Sequence, residues 1–240
     1  MAKRGPRPWI VLPHRPIEKL EDNLWVVNGD LPGMPLTRWM TLIRLADGRL
    51  VIHGVACVDP QTIAAIENWG KPAFLLVPNA YHRLDIHAWH VRYPNAKVLC
   101  PKGARPKVEQ VVAVDGDYGA LPTDAALRIE TIDGTNDAEG VLIVGSGSGY
   151  ARKTLVFNDV LFNQPHLPEF TGFVLKAIGS TGDARVSRIY RWFVMKNKKA
   201  LKNQLEHLAA IQGLVRLIPG HGLIVDREPN AVLASVAAKL

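Results

Sequence analysis

Three apolar runs in this chain end in turns, and each turn delivers a side chain that can ligate a metal. Ala73-Phe74-Leu75-Leu76-Val77 leads into Pro78-Asn79-Ala80-Tyr81-His82. Thr154-Leu155-Val156-Phe157 leads into Asn158-Asp159, and Leu214-Val215-Arg216-Leu217-Ile218 into Pro219-Gly220-His221-Gly222. Short apolar runs closed by Pro, Gly and Asn read as buried strands. A residue just past such a strand sits at its carboxyl end, where open α/β sheets gather their ligands. Two histidines and one carboxylate at three strand ends form a metal-ligand inventory.

The rest of the chain supplies elements to build around those strands. Met40–Leu45 and Leu50–His53 flank Asp47-Gly48 and predict a hairpin. Thr62–Trp69 reads as a helix, with Asp59 or Thr62 as its cap and Pro60 early in it. A second helix is expected from Leu84 to Arg92, then a strand over Lys97–Cys100. The middle predicts strands at Val111–Val114, Leu127–Ile132, Val141–Val144 and Thr154–Phe157, with Gly145–Gly149 as a hairpin turn. It lacks the Lys and Ser/Thr of a phosphate-binding loop. Helices are expected over Arg185–Val194, Ala200–Gln212 and Pro229–Lys239. Two β-rich stretches, each followed by helix, predict two sheets packed face to face and covered by helices. Residues 1–22 read as an N-terminal extension and 23–240 as one domain.

Composition narrows the function classes. The 240 residues are 48% apolar and 21% charged, ordinary for a globular protein. The formal net charge of +7 is dispersed, with small clusters at Lys3–Arg7 and Lys196–Lys202 and no aromatic-interleaved basic stripe. No nucleic-acid partner is expected. No stretch reaches the length of a membrane span, no apolar signal segment follows the basic N-terminus, and two cysteines give no disulfide framework. The expectation is a cytoplasmic protein that acts on a small molecule and has no membrane partner.

His82, Asp159 and His221 are the candidate metal ligands. Asn79, Tyr81, His53 and His166 are candidate pocket-lining residues: His53 ends a strand, His166 lies shortly beyond Asp159, and Asn79 could orient His82. His87 and His90 lie three apart on the helix after His82, preceded by Asp85, and read as an exposed face. Cys57 and Cys100 read as core residues.

Four segments carry a family resemblance: Arg38-Trp39-Met40-Thr41, Pro78–His82, Leu155–Asn163 and His221-Gly222. On these the chain resembles the metallo-β-lactamase fold superfamily, and within it a bacterial branch with a degenerate metal-binding signature. The resemblance spans about Asn23 to Leu240. It implies an α/β (α+β) chain folded as a four-layer αββα sandwich, with a metal site at one edge and hydrolytic chemistry. The superfamily's signature is His-x-His-x-Asp-His. Its last His aligns with His82, which leaves Val77 and Asn79 at the first two His positions and Tyr81 at the Asp. The middle metal His has no counterpart, because Asp133-Gly134-Thr135-Asn136 occupies its region. Asp159 matches the bridging Asp, and His221 the final His.

What the resemblance implies is therefore reduced: one divalent ion, with zinc ahead of iron or manganese, in place of two. A phenol is a poor general base near neutrality, so Tyr81 is no substitute for the missing Asp. The leading expectation is a mononuclear hydrolase activating water. The alternative is a non-catalytic module of the same fold that binds a small molecule or protein partner without metal. Redox or sulfur chemistry at iron has only the fold in its favour. The first two part on one observation: whether His82, Asp159 and His221 converge, or another side chain fills the space between them.

Overall fold

The computed structural model describes residues 6–240, so Lys3 and Arg4 of the basic N-terminal cluster lie outside the described residues. The first half contains β1 (Glu18–Glu21), β2 (Leu24–Leu31), β3 (Met34–Arg44), β4 (Arg49–His53), α1 (Pro60–Trp69), β5 (Lys71–Leu76), α2 (Ile86–Arg92), β6 (Lys97–Leu99) and α3 (Arg105–Val108). The second half contains β7 (Leu127–Thr131), β8 (Gly140–Ser146), β9 (Arg152–Val156), β10 (Phe162–Asn163), α4 (Glu169–Ala177), α5 (Arg188–Phe193), α6 (Lys198–Ala209), β11 (Leu214–Ile218), β12 (His221–Gly222) and α7 (Pro229–Ala238).

The strands form two principal sheets. One runs β1-β2-β3-β4-β5-β6 and the other β11-β9-β8-β7, with β10 and β12 pairing separately. Three apolar clusters define four layers. Leu24, Ile43, Val51 and Leu76 of the first sheet meet Leu142, Val144, Val156 and Ile218 of the second. The outer face of the first sheet packs Leu42, Ile52 and Leu75 against Ile63, Ile66 and Trp89 of α1 and α2. The outer face of the second packs Ile143, Leu155 and Leu217 against Leu201, Leu205 and Leu233 of α6 and α7. Alternate residues of each strand thus face different clusters, as the two-residue period of a strand requires. The result is the expected αββα sandwich.

Local chemistry sets the element ends. Asp59 caps α1 by accepting from the Gln61 and Thr62 amides, with Pro60 in the first turn. The hairpin at Asp47-Gly48 forms where expected, and β8 and β9 pair antiparallel across Gly147–Ala151, with Gly145 and Ser146, expected in the turn, continuing β8. Val111–Val114 is not a strand. The Val111 and Val112 amides donate to the Val108 carbonyl, continuing the turn that follows α3, and the spacing of Val108 and Val112 puts both in the core. Helix α4 was not expected, and neither was β1, which pairs antiparallel with β2.

The start of α2 also departs from expectation. Asp85 is buried and ion-paired with Arg38 of β3; it also accepts from the Cys57 amide at 3.2 Å. Arg38 Nη1 donates to the Val55 carbonyl at 3.1 Å. The pair ties α2 to the sheet, so Asp85, His87 and His90 do not form an exposed face. Removing one partner of a buried pair strands the other charge. Asp85→Ala is therefore expected to lower stability by about 3–5 kcal/mol in urea denaturation, with Arg38→Met recovering part of that loss in the double variant.

Candidate metal centre

The loop after β5 is organised by one amide side chain. Asn79 Oδ1 accepts from the backbone N–H of Tyr81 at 2.8 Å and of His82 at 3.0 Å. This local side-chain turn presents His82 away from the strand. Asn79 Nδ2 donates to Asp159 Oδ2 at 2.7 Å and to Glu139 Oε2 at 3.4 Å. Oxygen and nitrogen of the amide each meet complementary partners, which fixes its orientation.

Asp159 follows β9 and is held from two directions. Glu139, just before β8, accepts from the Asn158 and Val160 amides at 3.1 Å each, gripping the backbone on both sides of Asp159. Asn79 occupies Oδ2, and Oδ1 faces the two imidazoles: His82 Nε2 lies 2.9 Å from it and His221 Nε2 3.4 Å.

His221 arrives from β11 through Pro219-Gly220. The Gly220 amide donates to the carbonyls of Asn158 and Leu161, and a side chain there would bring its Cβ within 2.5 Å of the Asn158 oxygen. Gly222 has φ +90° and lies against the Asn163 carbonyl, so both glycines are needed for β12 to sit beside β10. Strand β3 then fixes the ring. His221 Nδ1 donates to the Thr37 carbonyl at 2.7 Å, and Trp39 Nε1 donates to the Gly222 carbonyl at 2.8 Å.

The ligating atoms of His82, Asp159 and His221 all lie within 4.8 Å of one another. With Nδ1 of His221 committed to Thr37, Nε2 is the ring nitrogen left to face the Asp159 carboxylate, at 3.4 Å. A ring proton or a bound cation can fill that gap, so the donor set fits a cation. A ring nitrogen bonded to a backbone carbonyl is also the usual outer support of a metal-bound histidine.

The electrostatics are uneven. Burial works to raise the Asp159 pKa, but the charge of His82 and hydrogen bonds from both imidazoles outweigh it and hold the carboxyl well below its ordinary range. Burial pushes Glu139 up, and the Asp159 charge adds to that. Glu139 was missed by the sequence reading: within Asp137-Ala138-Glu139-Gly140 it looks like a solvated loop residue, yet it is buried.

The other predicted pocket residues divide. Tyr81 lines the cavity beside the three ligating residues and is 73% exposed. Asn79, His53 and His166 do not line it. Asn79 lies beneath the site as the bracket described above. His53 is buried between β3 and β5, its Nε2 without a hydrogen-bond partner among the described residues, and burial followed by the His82 charge pushes its pKa down to about 3. His166 bonds Thr181 Oγ1 at 2.9 Å and belongs to the loop leading to α4.

Among solved structures, the chain is similar to DIM-1 metallo-β-lactamase, with a TM-score of 0.61 and 14% identity over 96% of this chain and 99% of that one. It is similar to FIM-1 metallo-β-lactamase from Pseudomonas aeruginosa in its mono-zinc form, with a TM-score of 0.56 and 15% identity over 99% and 98%. It is also similar to TMB-1, with a TM-score of 0.61 and 12% identity over 95% and 99%. No protein-family model matches the chain, and no curated protein sequence matches it. The likeness in structure shows that the chain has the metallo-β-lactamase fold.

Two outcomes follow from this geometry. Asn79→Ala removes the support of both His82 and Asp159, so the affinity of this candidate site for added zinc is expected to fall by about 10–100-fold in a chelator-competition titration, with His82 and Asp159 themselves unchanged. For His53, the unfolded chain binds a proton below its ordinary value near 6.5, while the folded protein does not until about 3. Stability therefore falls as pH drops through that window, with a slope of about 1.4 kcal/mol per pH unit from this residue. Urea denaturation from pH 6.5 to 4 should show a shallower loss in His53→Leu.

Proposed function

We propose that this metallo-β-lactamase-fold protein is a metal-dependent hydrolase with a mononuclear centre held by His82, Asp159 and His221. The observation that carries the reading is the convergence of His82 Nε2, Asp159 Oδ1 and His221 Nε2 on one point, with His221 Nε2 3.4 Å from Asp159 Oδ1 while His221 Nδ1 is committed to Thr37. The donor set of two imidazoles and a carboxylate suits zinc, with a fourth position left for water or substrate. A divalent ion bound there supplies a Lewis acid and a water acidified toward neutrality.

The chain's own residues divide the remaining work. Asn79 takes one carboxylate oxygen of Asp159 and leaves the other for the ion. Glu139 fixes the Asp159 backbone, and Thr37 sets the His221 tautomer. The resemblance places a His ligand at position 79, and an asparagine there that donates to two carboxylates supports a single ion over a pair. The FIM-1 structure, described in a mono-zinc form, supports the same reading.

The competing reading is a scaffold that binds without catalysis, and it has less support. It would gain if another side chain filled the space between the three donors, whereas the Tyr81 side chain stands largely in solvent and the donors line an open cavity. A small molecule is the substrate this cavity suits.

Elemental analysis of freshly purified, untagged protein is expected to give about one metal per chain, lost in His221→Ala. Zinc at about 100 times its dissociation constant should stabilise the wild type by about 2.7 kcal/mol in thermal denaturation. No metal and no stabilisation by zinc, manganese or iron would end the hydrolase reading.

A further inference from the structure

The cavity beside His82, Asp159 and His221 has a volume of about 1070 Å³, at the top of the range of small-molecule sites. Its walls are mainly apolar. Leu36 comes from β3, Leu84 from the turn before α2, Phe162 from β10, Leu175 and Ile178 from α4 and its end, and Phe193 from α5. Asp159 is the one carboxylate among the described lining residues, and it belongs to the candidate metal centre.

The cations are differently placed. Arg38 is spent on Asp85 and the Val55 carbonyl, and Arg83 Nη1 donates to the Lys107 carbonyl. Arg7 also lines the cavity. Its side chain is 19% exposed; its Nη1 is buried, has no hydrogen-bond partner among the described residues and lies 3.6 Å from Oδ1 of Asp85, whose Oδ2 is paired with Arg38. Two guanidinium groups thus share one carboxylate, which leaves a net positive charge at one side of an apolar cavity.

The apolar wall extends outward. Phe170 and Phe173 on α4 and Trp192 and Phe193 on α5 are each at least two-thirds exposed, accompanied by Lys176, Arg188 and Arg191. Four proud aromatic side chains on two helices that also wall a cavity are unusual on a self-sufficient surface.

We propose that this cavity binds a single-chain amphiphile, its hydrocarbon chain along the α4–α5 wall and its anionic group on Arg7. The corresponding substrate class is a long-chain acyl ester that carries an anionic group. That last step rests on the hydrolase reading: the acyl C–O bond breaks, water's hydroxyl goes to the acyl carbon, and its hydrogen goes to the leaving alcohol. Binding of the chain does not rest on it.

The test is a binding series with saturated fatty acids of 6 to 16 carbons and the matching primary alcohols, each below its critical micelle concentration. It is run on the whole protein in EDTA, so that metal and turnover play no part. Transfer of each methylene into the cavity should tighten binding about fourfold until the cavity is full, after which affinity levels off. Arg7→Gln should weaken the acids about tenfold and leave the alcohols unchanged. Ile178→Trp, which fills the cavity, should shorten the length at which affinity levels off. Leu175→Trp offers a second filling variant should that one unfold.

Affinity independent of chain length, or unaltered by a folded filling variant, overturns the proposal. An equal loss for acids and alcohols in Arg7→Gln overturns the anionic group. Chain-dependent binding without hydrolysis of any acyl ester by metal-loaded protein would sink the hydrolase reading and leave the cavity's ligand standing. Hydrolysis of short esters without chain-dependent binding would do the reverse. Sedimentation with phosphatidylcholine vesicles containing the acid, against the same acid free in solution, separates uptake from a bilayer from uptake from water.

Discussion

One amide side chain holds the centre together. Asn79 accepts from two backbone N–H groups of its own loop and donates to two carboxylates from elsewhere in the chain. Two carboxylates this close repel, and a shared neutral donor is a low-cost way to keep them side by side in a dry interior. The position of His82 depends on the same group, because the turn that presents it is closed by the Asn79 oxygen. Where the superfamily resemblance places a metal ligand, this chain has a hydrogen-bonding hub that rigidly mounts His82 and Asp159.

Strand β3 couples that mount to the second half of the molecule. Its Thr37 carbonyl and Trp39 indole hold His221 and Gly222, while Arg38 between them turns the other way to Asp85. The alternation of a strand lets three consecutive residues serve both faces of the first sheet. Position and tautomer of His221 are thus set by a strand from the opposite sheet, and the buried Arg38–Asp85 pair keeps that strand and α2 in register.

The convergence of His82, Asp159 and His221 was legible in the sequence because each follows an apolar run that ends in turn-forming residues, a pattern that strand geometry imposes. The sandwich was legible in the same way. Glu139 was hidden because a polar tetrapeptide gives no sign that it will be buried; its role follows from backbone amides 19 and 21 residues away. Val111–Val114 misled because valines fill a core without joining a ladder. Asn79, His53 and His166 were read as cavity residues because sequence places a side chain at a strand end or in a loop but does not say which way it turns. Helix α4 escaped notice because Phe170 and Phe173 point outward, so its apolar residues do not mark a single buried stripe.

The ligands also have a consequence for assembly of the fold. His82 lies in the half of the chain built on the first sheet, whereas Asp159 and His221 come from the second, 77 residues and more along the chain from it. No contiguous fragment of local structure contains the set. A cation bound by all three is therefore bound only after the two sheets have docked, and its free energy of binding acts on that long-range closure alone. Metal occupancy would then report tertiary assembly while leaving the separate hairpins and helices untouched.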